Sequence, residues 1–427
     1  MNIESIHSLF LKCSSVSIDT RKIESNSFFV AIKGDRFDAN TFANEALEKG
    51  ASYVIIDNAN YYIDERTIVV EDSLKTLQEL AKFHRNHLKL PIIALTGSNG
   101  KTTTKELINA VLSKKYITKA TVGNLNNHIG VPLTLLSFTP QTEIGIVEMG
   151  ANHQKEIEFL CEIAQPDYGY ITNFGKAHLE GFGGVEGVIK GKSEMYTFLS
   201  RNNKTVFVNL DDPIQVEKTE SLNVFTFGID KVNADVMITA VNANPFVEVT
   251  FLNTGVHSNL IGLYNANNIN AAIAFGKYFG VANEDIKQAL EGYVPENNRS
   301  QLIHRKTNEI ILDAYNANPS SMAVAISNFI QLERENKIVI LGDMFELGLD
   351  SRSEHRLVIE SLKNHKEIDC FFIGKDFYYS QIENKNFHFY ETFDDFANDF
   401  KHHQYQDKII LIKGSRGMAL ERTLELI

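Results

Sequence analysis

Residues 96–104 read Thr-Gly-Ser-Asn-Gly-Lys-Thr-Thr-Thr and lie between a short apolar run and a stretch of helical periodicity. That order, strand then glycine turn then helix, builds an anion cradle. Gly97 and Gly100 let the backbone turn tightly, so successive N–H groups face inward at a helix N-terminus and can hold phosphate oxygens. Lys101 is placed to reach the β- and γ-phosphates of ATP, and the Thr102 hydroxyl to ligate Mg²⁺. Ser98, Asn99 and Thr103 belong to the same nucleotide-facing loop. Leu95 stands where the common P-loop pattern has its first glycine, so a bare pattern search passes over this segment.

Other polar residues follow apolar strands. Glu148 closes the run 144–147; an acid at the carboxyl end of a buried parallel strand points into the crevice where open α/β sheets bind ligands, and can share a Mg²⁺ with Thr102. His178 lies in the glycine-rich segment 171–184, after another strand end. A neutral imidazole ligates metals, although a single histidine more often serves structure. Lys190 and Lys192 lie two apart near a helix start and would ordinarily be solvated.

These residues need a scaffold of alternating strands and helices. Residues 27–32 and 53–57 read as buried strands around a helix at 43–49 that Gly50 closes. A helix at 74–88 leads to strands at 92–95, 143–148, 168–173 and 205–209, with a helix at 105–112 after the loop. Residues 247–260 alternate enough to add antiparallel strands. The polar run 295–300 marks a boundary, and strands at 310–313, 337–342, 370–374 and 408–413 follow. The fold class is α/β, with units at 1–82, 83–296 and 297–427.

Composition narrows the chemistry. The formal charge is −12, which disfavours nucleic acid as a partner because phosphate neutralisation needs clustered Lys and Arg. Three dispersed cysteines with no Cys-x-x-Cys pair argue against a zinc ribbon and fit a reducing, cytoplasmic setting. No signal peptide and no apolar run of membrane-spanning length is expected.

The combination resembles the Mur ligase family. The resemblance rests on Thr96 to Thr102, on residues 123–136 (GNLNNHIGVPLTLL), on Glu148-Met149-Gly150, and on residues 173–183. It implies three units, namely an N-terminal UDP-substrate unit, a central P-loop sheet and a C-terminal Rossmann-like unit. Two segments, 313–322 (DAYNANPSSM) and 341–355 (LGDMFELGLDSRSEH), are similar to the member that joins D-alanyl-D-alanine to UDP-N-acetylmuramoyl-tripeptide, and 413–418 (KGSRGM) agrees.

The resemblance carries roles onto this chain. Lys101 and Thr102 would meet the γ-phosphate and one Mg²⁺, with Glu148 and His178 completing metal coordination. Lys192 would be carbamylated and bind a second Mg²⁺, with Tyr196 at the matching spacing. Asn268 and Arg299 would contact ATP, as would Asp313 near the ribose; Asn316 and Asn318 lie close by. Asp19-Thr20-Arg21, Gly34, Asp38 and Asn127 would hold the UDP end. Thr20 stands for the usual Ser, Ala39-Asn40 for Gly-His and Tyr264 for His. A monomer that hinges near residue 297 is expected. The alternatives are a sister ligase or folylpolyglutamate synthase relative adding one amino acid, or a P-loop regulatory NTPase; dependence of turnover on carboxylate and amine separates them.

Overall fold

The structure, a computed structural model, describes every residue of the 427 except Asn297 and Gln404. Asn297, where the hinge was expected, therefore lies outside the described residues.

Side chains of a strand alternate between its two faces, so a strand apolar throughout needs a core on both sides. In strand Ile92–Thr96, Ile92 and Ala94 enter one apolar cluster while Ile93 and Leu95 enter another. Strand Ile144–Glu148 divides in the same way, with Val147 on the first side and Ile144 and Ile146 on the second. Helices Gly130–Leu136, Glu156–Ala164 and Val185–Arg201 cover the first face; Lys101–Leu112, Ala266–Tyr278 and Asn283–Gly292 cover the second.

The resulting nine-stranded sheet runs Thr254–Ile261, Phe246–Phe251, Val236–Ala243, Val224–Ile229, Thr205–Asn209, Tyr168–Ile171, Ile92–Thr96, Ile144–Glu148, Thr118–Ala120. The first two are the antiparallel addition expected from residues 247–260; every pairing from Val236–Ala243 onward is parallel. Three neighbouring strands thus deliver their carboxyl ends side by side: 168–171, 92–96 and 144–148.

A second sheet pairs Ser15–Ser17, Ser27–Val30, Ala51–Ile56 and Thr67–Val69 in parallel. Its outer strands are three residues long, too short for periodicity to reveal. Helix Ser73–Leu88, capped by the Asp72 carboxylate on Lys75 N–H, packs in one cluster with this sheet (Phe28, Ile55) and the central one (Ile92, Val147). Residue 82, which divides the first two units in the sequence reading, lies inside that helix. The third sheet orders Gln301–Arg305, Asn308–Asp313, Ile409–Lys413, Lys337–Gly342, Ile368–Ile373, Phe387–Tyr390. It contains the four expected strands plus one at each edge, the first of them antiparallel.

At the joint of the first two sheets, His7 Nε2 lies 3.0 Å from His84 Nδ1, and His84 Nε2 lies 3.0 Å from the Phe138 carbonyl. A carbonyl only accepts, so His84 holds its proton on Nε2 and His7 Nε2–H donates to His84 Nδ1. Both rings are buried and neutral; burial, then His84 and His87, push His7 down to about 4. The unfolded chain binds these protons below about pH 6.5, so this contribution to stability is present above that pH and is lost as pH falls toward 4. Between pH 7 and pH 5 the wild type should lose roughly 1–2 kcal/mol more unfolding free energy than His7→Phe. Equal losses in urea titrations at the two pH values would refute the neutral pair.

Candidate active site

The phosphate-binding loop is fixed by its neighbour strand. Asn99 N–H donates to Asn173 Oδ1 (3.1 Å), Asn173 Nδ2 donates back to the Asn99 carbonyl (3.0 Å), and Thr172 Oγ1 donates to the same carbonyl (2.5 Å). Ser98 Oγ donates to the Gly175 carbonyl (2.7 Å). Gly97 has φ +140°, and a Cβ there would lie 2.0 Å from Thr172 Oγ1. Glycine is required by conformation and by space. Gly100, at φ +77°, ends the loop, and the helix begins at Lys101 rather than at 105. The sequence expectation starts too late because Lys101 to Thr103 both line the cleft and form the first helical turn.

Around this loop lies a cleft of about 740 Å³. Its lining includes Ser98, Asn99, Gly100, Lys101, Thr102 and Thr103 from the loop, then Asn127, Glu148, His178, Asn268, Arg299 and Asp313. Gly97 shapes the loop from behind. Asn316, Asn318 and Lys413 also reach the cleft from the third sheet. Asn318 Nδ2 donates to Asn99 Oδ1 (2.7 Å), tying that unit directly to the P-loop.

Glu148 is 1% exposed. Its Oε1 accepts from Asn126 Nδ2 (2.8 Å), while Oε2 has no hydrogen-bond partner. A buried carboxylate oxygen left unpaired is costly unless something occupies it. With Thr102 and His178 on the same cleft, this donor set of hydroxyl, carboxylate and imidazole fits a hard divalent cation. Asn126, which aims Glu148, was missed by the sequence reading; the repeated asparagines at 124, 126 and 127 were its only signal. Asn127 Oδ1 is spent on the Ile129 and Gly130 N–H groups, so its substrate-facing atom would be the amide nitrogen.

Lys101 Nζ folds back onto the Gly97 carbonyl (2.8 Å). Desolvation lowers its pKa, Glu148 opposes that, and Arg299 adds to it. Lys192 is not solvated as a surface lysine would be: it sits within helix Val185–Arg201, 1% exposed, and donates only to the Ala151 carbonyl (3.0 Å). Burial first, then Lys101, hold its pKa well below the lysine range. Lys192 lies behind the cleft wall rather than on it, since Ala151 lines the cavity.

Asn268 is committed locally. Its Oδ1 accepts from Thr104 Oγ1 (2.9 Å) and its Nδ2 donates to Asn265 Oδ1 (2.8 Å). Asp313 accepts from Lys413 Nζ (2.5 Å) and from Ser300 N–H (3.3 Å). Arg299 stacks on Tyr315, its guanidinium carbon 3.5 Å from the ring centroid, with Arg416 at 4.9 Å. Tyr315 carries no signal in the sequence, because stacking on an arginine sixteen residues distant leaves no local pattern.

The N-terminal candidates do not line this cleft. Asp19, Gly34 and Asp38 follow the carboxyl ends of strands Ser15–Ser17 and Ser27–Val30. Asp19 caps the turn Thr20–Lys22 and binds Arg21, which holds its carboxyl at about 2. Asp38 and Asp57 both accept from Asn40 Nδ2 (2.6 and 2.7 Å). One further cluster among the described residues, Asp343, His355 and Asp376, has metal-like spacing. It is satisfied internally: Asp343 accepts from Asp376 and Phe377 N–H, and His355 Nε2 accepts from Met344 N–H.

A doubly wound sheet with its phosphate loop facing a second α/β unit across one cleft defines a P-loop enzyme that handles nucleotide between two units. Known proteins narrow that class. The sequence matches the Mur ligase family catalytic domain over residues 12–85, the Mur ligase middle domain over 95–276 and the Mur ligase glutamate ligase domain over 298–416. It is 36% identical over 425 residues to UDP-N-acetylmuramoyl-tripeptide--D-alanyl-D-alanine ligase of Bacillus subtilis (strain 168), covering 96% of this chain and 92% of that protein. Crystal structure I of MurF from Acinetobacter baumannii superposes with a TM-score of 0.86 at 31% identity, covering 99% and 97%. MurF ligase from Thermotoga maritima in complex with ADP gives 0.83 at 28%, covering 98% and 97%. The chain belongs to the Mur ligase family.

Replacing Gly97 by Ala should force the loop away from Thr172 and weaken ADP binding by at least about tenfold in calorimetry. Unchanged affinity would show that the cradle tolerates the displacement.

Proposed function

We propose that this chain joins D-alanyl-D-alanine to UDP-N-acetylmuramoyl-tripeptide with consumption of ATP, forming a C–N bond in peptidoglycan precursor synthesis. The observation that carries the reading is that one cleft collects the P-loop, the unpaired Glu148 oxygen and the 313–318 segment of the third sheet. The near full-length similarity to ligases of that name supports the same substrates.

Amide formation from a carboxylate in water is uphill, and a carboxylate is a poor electrophile. Transfer of the γ-phosphoryl group of ATP to the peptide carboxylate gives an acyl phosphate and ADP. The dipeptide amine then attacks the acyl carbon, a C–N bond forms, phosphate leaves and a proton is released. Mg²⁺, two ions in this proposal, would be held by Thr102, Glu148, His178 and Lys192 and would supply charge neutralisation. Lys101 binds the γ-phosphate, Arg299 and Asp313 hold the nucleotide, and Asn268 fixes the base side of the loop. The depressed pKa of Lys192 supports its carbamylation, because only the neutral amine adds CO₂, yielding a carbamate anion and a proton. Asp19, Thr20, Arg21, Gly34, Asp38 and Asn127 would bind the UDP end.

The three units at 1–82, 83–296 and 297–427 would divide the work into UDP-sugar recognition, phosphoryl transfer, and nucleotide closure with amine capture. We read the chain as a cytoplasmic monomer that uses cytoplasmic nucleotides; no helix among the described residues is long and apolar enough to cross a membrane.

Phosphate release from ATP and Mg²⁺ with UDP-N-acetylmuramoyl-tripeptide should require D-alanyl-D-alanine and yield the pentapeptide. Release with single amino acids instead would assign a sister activity, and release with no peptide would point to a plain NTPase. Lys101→Ala should remove ligation while the protein stays folded; turnover above a few per cent of wild type would reject the P-loop role. Lys192→Ala should lose activity and regain part of it with short carboxylic acids, and wild-type activity without rescue would refute the carbamate.

A further inference from the structure

His178 is held in an unusual way. Its backbone is left-handed, φ +52°, and its side chain meets Glu346, itself left-handed at φ +62°. Non-glycine residues there cost on the order of 1 kcal/mol or more, so two of them facing each other need compensating contacts. The surrounding chain supplies those contacts. Glu180 N–H donates to the Glu346 carbonyl (3.4 Å), and Lys176 Nζ pairs with Glu354 (2.6 Å) while its N–H donates to Ser320 Oγ (2.7 Å). The 176–180 segment of the central unit is thus docked onto the 345–354 segment of the third.

Glu346 touches His178 through Nδ1. A carboxylate only accepts, so the proton sits on Nδ1 and the lone pair remains on Nε2. His178 lines the cleft, whereas Glu346 does not. A histidine ligand oriented by a carboxylate on its other nitrogen is a recurrent arrangement in metal sites, where loss of the outer group weakens metal binding about 10–100-fold.

We propose that Glu346 is a positioning residue for His178: by accepting from Nδ1–H it fixes the Nδ1–H tautomer, leaving the Nε2 lone pair for the cleft, and the cation site is complete only while the third unit is docked. This rests on the reading of His178 as a metal ligand. It makes the segment 341–355 part of the phosphoryl-transfer apparatus without touching nucleotide or peptide. Because Glu346 is half in solvent, removing it should not threaten folding.

The test uses full-length protein with Mn²⁺ and a non-hydrolysable ATP analogue, reading free Mn²⁺ by electron paramagnetic resonance and the His178 tautomer by ¹⁵N NMR. Glu346→Ala and Glu346→Gly should weaken Mn²⁺ about 10–100-fold and release the Nδ1–H tautomer, at unchanged melting temperature. Glu346→Gln, whose amide oxygen still accepts, should stay within about threefold of wild type. Wild-type affinity and tautomer in the Ala and Gly variants, with affinity lost in His178→Ala, would overturn this inference alone. Wild-type affinity in His178→Ala would overturn the ligand reading and the inference together. A loss in Ala that Gly restores would assign the effect to backbone strain, and a Gln loss equal to that of Ala would reject the hydrogen-bond role.

Discussion

Asn99 holds the phosphate-binding loop from several directions, and the rest of the site is arranged around that constraint. Its N–H and carbonyl form a reciprocal pair with the Asn173 side chain, Thr172 adds a second donor to the carbonyl, and its own side chain accepts from Asn318. A loop that turns this tightly has little secondary structure to satisfy its own N–H and carbonyl groups. The adjacent strand end supplies the missing partners. The strand order matters for that reason: Tyr168–Ile171 lies beside Ile92–Thr96, so residues 172–175 emerge against the loop. On the other flank Ile144–Glu148 ends level with it and presents Glu148. Through Asn318 the same residue senses the third unit. The loop geometry and the docking of that unit are one mechanical problem.

Legibility in the sequence follows the range of the interactions. The P-loop, the strand end at 148 and the central strands could be read because each depends on neighbours in sequence: glycine conformation, apolar runs, helix onset. Helix Lys101–Leu112 was placed four residues short because Thr102 to Thr104 favour a ligand loop by composition, whereas Gly100 in the left-handed region sets the true start. Strands Ser15–Ser17 and Thr67–Val69 carry too few residues to show alternation. Asn126, Asn173, Tyr315 and Glu346 were unreadable for another reason. Each acts by a bond or stack to a residue distant in sequence, and asparagine, tyrosine and glutamate in loops carry no pattern that says which partner they meet.

The N-terminal sheet shows a different division. Its substrate candidates sit at strand carboxyl ends, as open parallel sheets place ligand contacts, yet none of Asp19, Gly34 and Asp38 reaches the nucleotide cleft. A long substrate reconciles the two: a UDP-linked peptide can be held at one end while its carboxylate reaches the P-loop. Helix Ser73–Leu88 then has a clear physical role. It is buried against both sheets in one apolar cluster, which would fix the spacing between the two ends of the proposed substrate. The joint with the third unit is made differently, from polar contacts at Asn99, Lys176 and His178 together with apolar packing around Leu179 and Phe182. Polar contacts exchange readily with water, so in the proposed reaction the first joint would set the substrate spacing and the second would allow closure.

Charge sets the final constraint. In the proposed reaction a triphosphate and a carboxylate would approach each other within a chain that carries −12 overall. The cleft answers with few cations, each restrained. Lys413 is already paired with Asp313, Arg299 lies on Tyr315, and Lys101 rests on a loop carbonyl with its charge disfavoured by desolvation. Lys101 also lowers the basicity of Lys192. Two buried ammonium groups cannot both be well solvated there, so one gains by becoming neutral or anionic. Both lysines donate only to carbonyls, Lys192 to Ala151 and Lys101 to Gly97 and Ser98, and each has carboxylates that oppose the loss of charge: Glu156 and Glu194 for Lys192, Glu148 for Lys101. In the proposed reaction Lys101, which lines the cleft, would stay the cation for phosphate, and Lys192, behind its wall and the more strongly depressed of the two, would be the amine that loses its charge.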